Sequence, residues 1–146
     1  MSAVKAFLIE PMAGTIRPVT INLEGSYAQI KAFVKCDLID IVRVNGLDII
    51  VDDNGLDDTV PCLTEVAGAP TPLAGNLLVT KSDRLGELAD VTESIEALAS
   101  LFVIVRPLLR PVIVVTERPG VIAAQIVHVE IFLDRSVPKI VETVEA

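Results

Sequence analysis

Asp52, Asp53, Asp57 and Asp58 place four carboxylates within seven residues, the first groups in the chain that could hold a cation. A calcium loop of the EF-hand type needs acids at alternate positions, then Gly, then a bidentate Glu six residues later. Six residues after Gly55 stands Pro61. The run therefore reads as a solvated turn, and no metal or other cofactor is expected. Candidate nucleophiles are Ser26, Ser82, Ser94, Ser100, Ser136, Cys36 and Cys62, and His128 is the only histidine available as a base. No GxSxG elbow accompanies them. A zinc site would need carboxylates to complete it, because Cys36 and Cys62 lie far apart. Both thiols are expected to be buried or half-buried and unpaired. Neither GxGxxG nor GxxxxGK followed by Ser or Thr occurs, which counts against ATP- or NAD-dependent chemistry. The expectation is a protein without catalysis; its best enzymatic rival is a metal-assisted hydrolase using Asp52 or Asp53.

The other directional groups are polar residues at strand ends and turns, where a rigid sheet can present them. Arg43 lies within an aliphatic run. Its guanidinium either pairs with Asp52 or Asp53 across a hairpin or faces a ligand, since an Arg fork suits phosphate and carboxylate. Gly75 and Asn76 follow a proline-rich bend and offer backbone N–H and amide groups of the kinds that hold phosphate. Arg43, Asp52, Asp53, Gly75 and Asn76 form the candidate ligand-binding set, and they share one site only if the bend at 70–76 folds across the hairpin. Arg106, Arg110 and Arg118 make the one local basic cluster. They are expected to be an oligomer salt-bridge set, with an anion pocket as the alternative.

The elements that must position these groups can be read from the pattern. Residues 4–10 (VKAFLIE) and 15–23 (TIRPVTINL) read as an antiparallel strand pair around a turn at Gly14, with Pro18 marking an edge or a bulge. Ser26 and Gln29 have capping-box spacing at the start of a helix of about nine residues with Tyr27, Ile30, Phe33 and Val34 on one face. Residues 38–44 and 47–51 flank Asn45-Gly46, a hairpin signal. The segment 56–71 reads as loop with a possible helical turn at 62–66, and 73–80 as one strand. Asp90 and Glu93 make a second capping pair before a three-turn helix that Pro107 ends. Beyond it, 112–116 and 126–133 read as an apolar hairpin, its second strand placing Val127, Val129, Ile131 and Leu133 opposite His128 and Glu130. The tail from 134 reads as a frayed end or a short helix. The expected fold is α+β, a small mixed or antiparallel sheet with two helices in a core domain 1–106. The extension 107–146 carries the hairpin.

Composition bounds the function. The chain has 146 residues, 51% hydrophobic but only 3% aromatic, and a formal net charge of −8. That charge argues against direct binding to nucleic acid or anionic membrane. The most apolar stretch, 97–115, contains Arg106, Pro107, Arg110 and Pro111, a poor transmembrane helix, so a cytoplasmic protein is expected. So much aliphatic surface in a small domain finds its simplest outlet in self-association, and unpaired apolar strands invite it.

The segments Lys5-Ala6-Phe7-Leu8-Ile9-Glu10-Pro11, Leu38-Ile39-Asp40-Ile41-Val42-Arg43-Val44, Val51-Asp52-Asp53-Asn54-Gly55-Leu56 and Pro70-Thr71-Pro72-Leu73-Ala74-Gly75-Asn76 recur in this order in a family that the chain resembles over residues 4–105. It is the domain of unknown function three-eight-four-six, common in tailed phages, plasmids and bacterial genomes. The resemblance implies a fold outline and a mobile-element setting, and it brings no activity. The expected function is a non-enzymatic accessory binding protein acting as a homo-oligomer on a host component, counter-defence included. The alternative is a receptor that sequesters a phosphorylated nucleotide signal, and the third reading is an acidic DNA mimic.

Overall fold

The computed structural model describes residues 2–56 and 59–142. It is a sheet-dominated α+β fold in which two sheets and two short helices form layers around two cores. Strands β1 (Ala3–Glu10) and β2 (Thr15–Asn22) pair antiparallel in unbroken register. Pro18 introduces no bulge and lies beyond the pairing of β2 with the C-terminal strand at Thr15 and Ile16. Strands β3 (Ile39–Val44) and β4 (Leu47–Asp52) form the expected hairpin, Asn45 and Gly46 both taking positive φ.

Helix α1 (Ser26–Val34) has the expected length but not the expected cap. Gly25, in the left-handed region, occupies the N-cap position without a side-chain bond. Gln29 reaches back across the loop, accepting from the Asn22 N–H at 2.8 Å and donating to the Asn22 carbonyl at 3.0 Å. It ties the helix to β2.

Three sequence expectations fail for identifiable reasons. Residues 62–66 are not helical: β5 (Leu63–Val66) is a strand with Thr64 and Val66 buried. The stretch 73–80 is not one strand. Gly75 at φ 78° turns the chain between β6 (Leu73–Ala74), in one sheet, and β7 (Leu77–Ser82), in the other. The three-turn helix shrinks to α2 (Ile95–Ala99), capped by Ser94, whose side chain accepts from the Ala97 N–H. Asp90 is engaged elsewhere, accepting from the Lys5 N–H at 2.7 Å, and Glu93 pairs with Lys81 at 2.9 Å. The β-branched run from Phe102 onward then joins a sheet, tertiary pairing overriding helical spacing.

The large sheet runs β11-β2-β1-β7-β4-β3, with β8 (Leu88–Ala89) attached to β7. Strand β11 (Lys139–Ile140), in the expected frayed tail, lies parallel to β2, which makes the sheet mixed. The smaller sheet runs β10-β9-β5-β6. Alternation on the central strands feeds both faces. Val4, Ala6 and Leu8 of β1 pack with Ile30 and Val34 of α1, whereas Phe7 and Ile9 pack with Val66, Leu73, Leu98 and Phe102 on the other side. Strands buried on both faces read as continuous apolar runs, which accounts for part of the aliphatic excess.

The rest lies in a ribbon. Strands β9 (Phe102–Arg118) and β10 (Val121–Ser136) continue as a two-stranded hairpin far beyond the small sheet, since β5 pairs with β9 only from Phe102 to Val105. The expected domain boundary at 106/107 falls inside β9, which runs through it unbroken. Pro107 and Pro111 do not end an element there: past Val105 that side of β9 has no ladder to donate to. No helix among the described residues is long and apolar enough to cross a membrane.

Candidate functional site

A two-residue hairpin fixes its own register, so Arg43 stands directly opposite Asp48. The guanidinium Nε donates to Asp48 Oδ1 at 3.3 Å. Asp48 is held in turn by Ser82, whose hydroxyl donates to Oδ2 at 2.7 Å, while the Thr80 hydroxyl donates to the Asp48 backbone carbonyl at 2.8 Å. The expected partners of Arg43, Asp52 and Asp53, sit at the far end of the hairpin, with Asp52 opposite Ile39. Four residues of β4 separate Asp48 from Asp52, or about 13 Å at ~3.3 Å per residue.

The five candidate residues accordingly do not share one cavity. Arg43 borders a hollow of about 270 Å³ on the α1 side of the large sheet, together with Tyr27, Ile30, Ile41, Ile50 and Leu88. Asp52 and Gly75 border a second cavity, of about 610 Å³, with Lys35, Asp37, Asn54 and Gly55. Asp53 donates its backbone N–H to the Leu38 carbonyl, and Asp52 accepts from the Asn54 N–H in a local turn. Asn76 is structural: its amide donates to the Phe33 carbonyl at 3.0 Å and fastens the end of α1 to the start of β7. Asp57 and Asp58 lie outside the described residues. Among those that are described, no three His, Cys, Asp or Glu side chains are grouped to hold a metal ion.

Lys35 faces Asp37 and Asp52 around the larger cavity, so the charges bordering it repel phosphate more than they attract it. Cys36, also on its wall, is a free thiol whose pKa is raised, first by burial and then by Asp52 and Asp37. Burial likewise raises the Cys62 thiol, which packs against the Met12 sulfur at 3.8 Å.

The three arginines are strung along one strand rather than clustered. Arg106 donates to the carbonyls of Pro11 and Met12 and clamps the β1–β2 turn, close against Gly14. Arg110 lies over the Phe132 ring at 4.9 Å, and Arg118 is at the ribbon tip. Spacings of four and eight residues along a strand put them about 13 and 26 Å apart. They form no anion pocket.

The ribbon has two unlike faces. Register places Arg106, Arg110, Thr116 and Arg118 on the same side as Asp134, Glu130, His128 and Gln125, interspersed with exposed Leu108, Val114, Val121 and Phe132. The other side carries Leu109, Ile113, Val115, Ile122, Ile126, Val129, Ile131 and Leu133, all exposed. Val127, expected in line with Val129, is the unopposed residue of a bulge. Phe102 and Ile104, buried in or beside the core, belong to the polar series by alternation. Val105, on the aliphatic side, is buried as well, so that face is exposed only from residue 107 outward.

Sequence reading missed Asp48, Ser82 and Tyr27 as neighbours of Arg43. Asp48 was available by counting outward from Asn45-Gly46; Tyr27 and Ser82 needed the packing of α1 and β7 against the hairpin.

Geometry thus defines a two-sheet domain bearing a long, exposed and largely apolar ribbon. The chain matches the family described as Domain of unknown function (DUF3846) over residues 4–103, and it belongs to that family. It is also 28% identical over 113 residues, 77% of this chain and 70% of the relative, to the uncharacterized protein y4iR of Sinorhizobium fredii. No solved structure matches it. The ribbon past Val103 lies outside the family match.

Proposed function

We propose that this is a non-enzymatic accessory binding protein that works in the cytoplasm as a homo-oligomer, joined through the aliphatic face of the ribbon. The observation that carries the reading is that face. Over residues 107–115, short of Glu117, it is about 30 Å long and about 10 Å wide, hence about 300 Å² in projection. A patch of that size matches the largest apolar patch of an ordinary monomer, which is often a functional contact surface. A two-stranded hairpin alone is marginally stable in water, and the ribbon's polar face already has its own pairs, His128–Glu130 and Arg110–Phe132. In the mobile-element setting that the resemblance implies, the domain body would meet a host component, with counter-defence as one such role. The nucleotide-receptor alternative would have to use the larger cavity, where carboxylates oppose phosphate. A DNA mimic would need a dense acidic stripe, whereas 12 Lys and Arg are interspersed with 20 Asp and Glu along the sequence. Light scattering after size exclusion tests the reading: a mass that is a multiple of 15.6 kDa at micromolar concentration is expected, and a clean monomer overturns it.

A further inference from the structure

Strand β3 ends the large sheet, and its outer edge has no strand partner among the described residues. In a two-residue hairpin the residues next to the turn, Val44 and Leu47, are the hydrogen-bonded pair. Hydrogen-bonded positions on β3 are then Val44, Val42 and Asp40, and the Asp53 N–H donating to the Leu38 carbonyl continues the series. Ile39, Ile41 and Arg43 consequently aim their N–H and C=O groups at the open edge. The Ile41 N–H confirms this direction, because it donates to the Asp40 carboxylate at 2.8 Å instead of to β4.

The same three residues turn their side chains toward the hollow beneath α1. Ile41 is 42% exposed and Tyr27, across from it, 52%. The Arg43 side chain is 77% exposed; Asp48 holds it through Nε, leaving its two outer nitrogens without a hydrogen bond among the described residues. At about 270 Å³ the hollow falls below the usual range of small-molecule sites, but it suits one or two apolar side chains. A second copy of β3 does not complement it. In antiparallel self-pairing within β3 Arg43 meets Ile39, Ile41 or the other Arg43, because Asp40 belongs to the opposite face.

We propose that the β3 edge binds an extended peptide segment of a partner protein by strand addition, an apolar side chain of the segment filling the Tyr27–Ile41 hollow and an acidic one, two residues away, pairing with Arg43. Main-chain bonds supply affinity and the alternating pockets supply specificity. One acid fits better than a run of them, since the protein's net charge of −8 repels an acidic stretch. The Asp40 carboxylate occupies the Ile41 N–H that the incoming strand needs, so it competes with the ligand and guards the edge when empty. This inference rests on the binding-protein reading but not on the ribbon, whose association is measured separately by mass.

The test is to pan a random twelve-residue linear peptide library against the intact protein and titrate the enriched peptides. Enriched sequences are expected to alternate, with Asp or Glu two positions from an aliphatic or aromatic residue. Arg43→Glu should weaken them at least tenfold, Ile41→Lys similarly, and Asp40→Ala should tighten them severalfold. All three sites are exposed or half-exposed, and circular dichroism checks that the variants fold. No enrichment, enrichment without that spacing, or binding indifferent to Arg43→Glu and Asp40→Ala overturns the proposal. A monomeric mass with these peptides still binding would refute the oligomer reading alone.

Discussion

Leu109 and Ile131 face each other across the ribbon, each 69% exposed, on the aliphatic side. Replacing them together, Leu109→Lys with Ile131→Glu, puts an opposite-charge pair where an aliphatic one stood. Such a cross-strand pair preserves the hairpin in the isolated chain, contributing roughly 0.2–1 kcal/mol. In an assembly the same change should be severe. Full burial of a Leu or Ile side chain contributes about 1.5–3 kcal/mol. With two thirds of each side chain still open, about 1–2 kcal/mol per side chain remains to be gained on association. Four such side chains in a dimer, the smallest assembly, give about 4–8 kcal/mol, or about three to six decades in the dissociation constant. Desolvating the introduced charges adds to the loss.

The assay is light scattering after size exclusion, over a range of concentrations, on the parent, on the double variant and on Thr116→Asp, which alters the opposite face of the same strand. The parent and Thr116→Asp should share one oligomeric mass, and the double variant should run as a folded monomer. A double variant with unchanged mass would refute the assignment of this face. So would dissociation caused by Thr116→Asp alone.

Arg106→Met should lower stability by about 1–3 kcal/mol in urea denaturation, because the Met12 carbonyl loses the guanidinium and the Pro11 carbonyl keeps only the Gly14 N–H; an unchanged midpoint would show the clamp to be idle. Glu93 accepts from Lys81, and that bond holds its pKa below the usual carboxylate range, outweighing the opposing effect of burial. A lowered folded-state pKa gives stability that is present above the unfolded pKa and lost as pH falls through the folded one. Glu93→Gln should therefore cost about 0.5 kcal/mol near neutrality, and thermal melts of parent and variant should converge in acid; a gap that persists to low pH contradicts the pairing. With burial as the first cause raising the Cys36 thiol and Asp52 the second, alkylation at pH 8 should be slow. Asp52→Asn should speed it at Cys36 and leave Cys62 unchanged, and equal rates in parent and variant would count against that neighbour effect.

The hairpin at 39–52 was legible because Asn45-Gly46 states both its turn and its register, and α1 because its apolar period is uninterrupted. What local pattern could not show was competition between partners. Ile95, Leu98, Leu101 and Phe102 have helical spacing, yet β5 offers Phe102 and its successors a ladder, and the helix ends at Ala99. Residues 73–80 look like one strand because nothing local reveals that Gly75 carries the chain from one sheet to the other. The candidate site suffered in the same way. Arg43 was recognised as unusual in its aliphatic run, but grouping it with Asp52 and Asn76 required a fold across the hairpin, and the bend instead serves packing, with Asn76 fastened to Phe33.

The last prediction is that core and ribbon are energetically separable. None of residues 106–137 is buried. From Pro107 to Leu133 the two strands contact mainly each other, whereas Ile104 and Val105 pair with β5 and Arg106 grips the first turn. Removing residues 107–133 and joining Arg106 to Asp134, which already face each other across the ladder, through Asn-Gly respects the two-residue turn geometry. No core side chain is deleted, and a shorter connection lowers the loop-closure cost only slightly. The shortened protein should unfold cooperatively with a midpoint close to that of the detached monomer, Leu109→Lys with Ile131→Glu, and should have the mass of a single chain. Its peptide binding at β3 should persist, since that edge belongs to the other sheet. Loss of folding on removing the ribbon would mean that the domain depends on it, and the division between a self-sufficient core and an associating arm would be wrong.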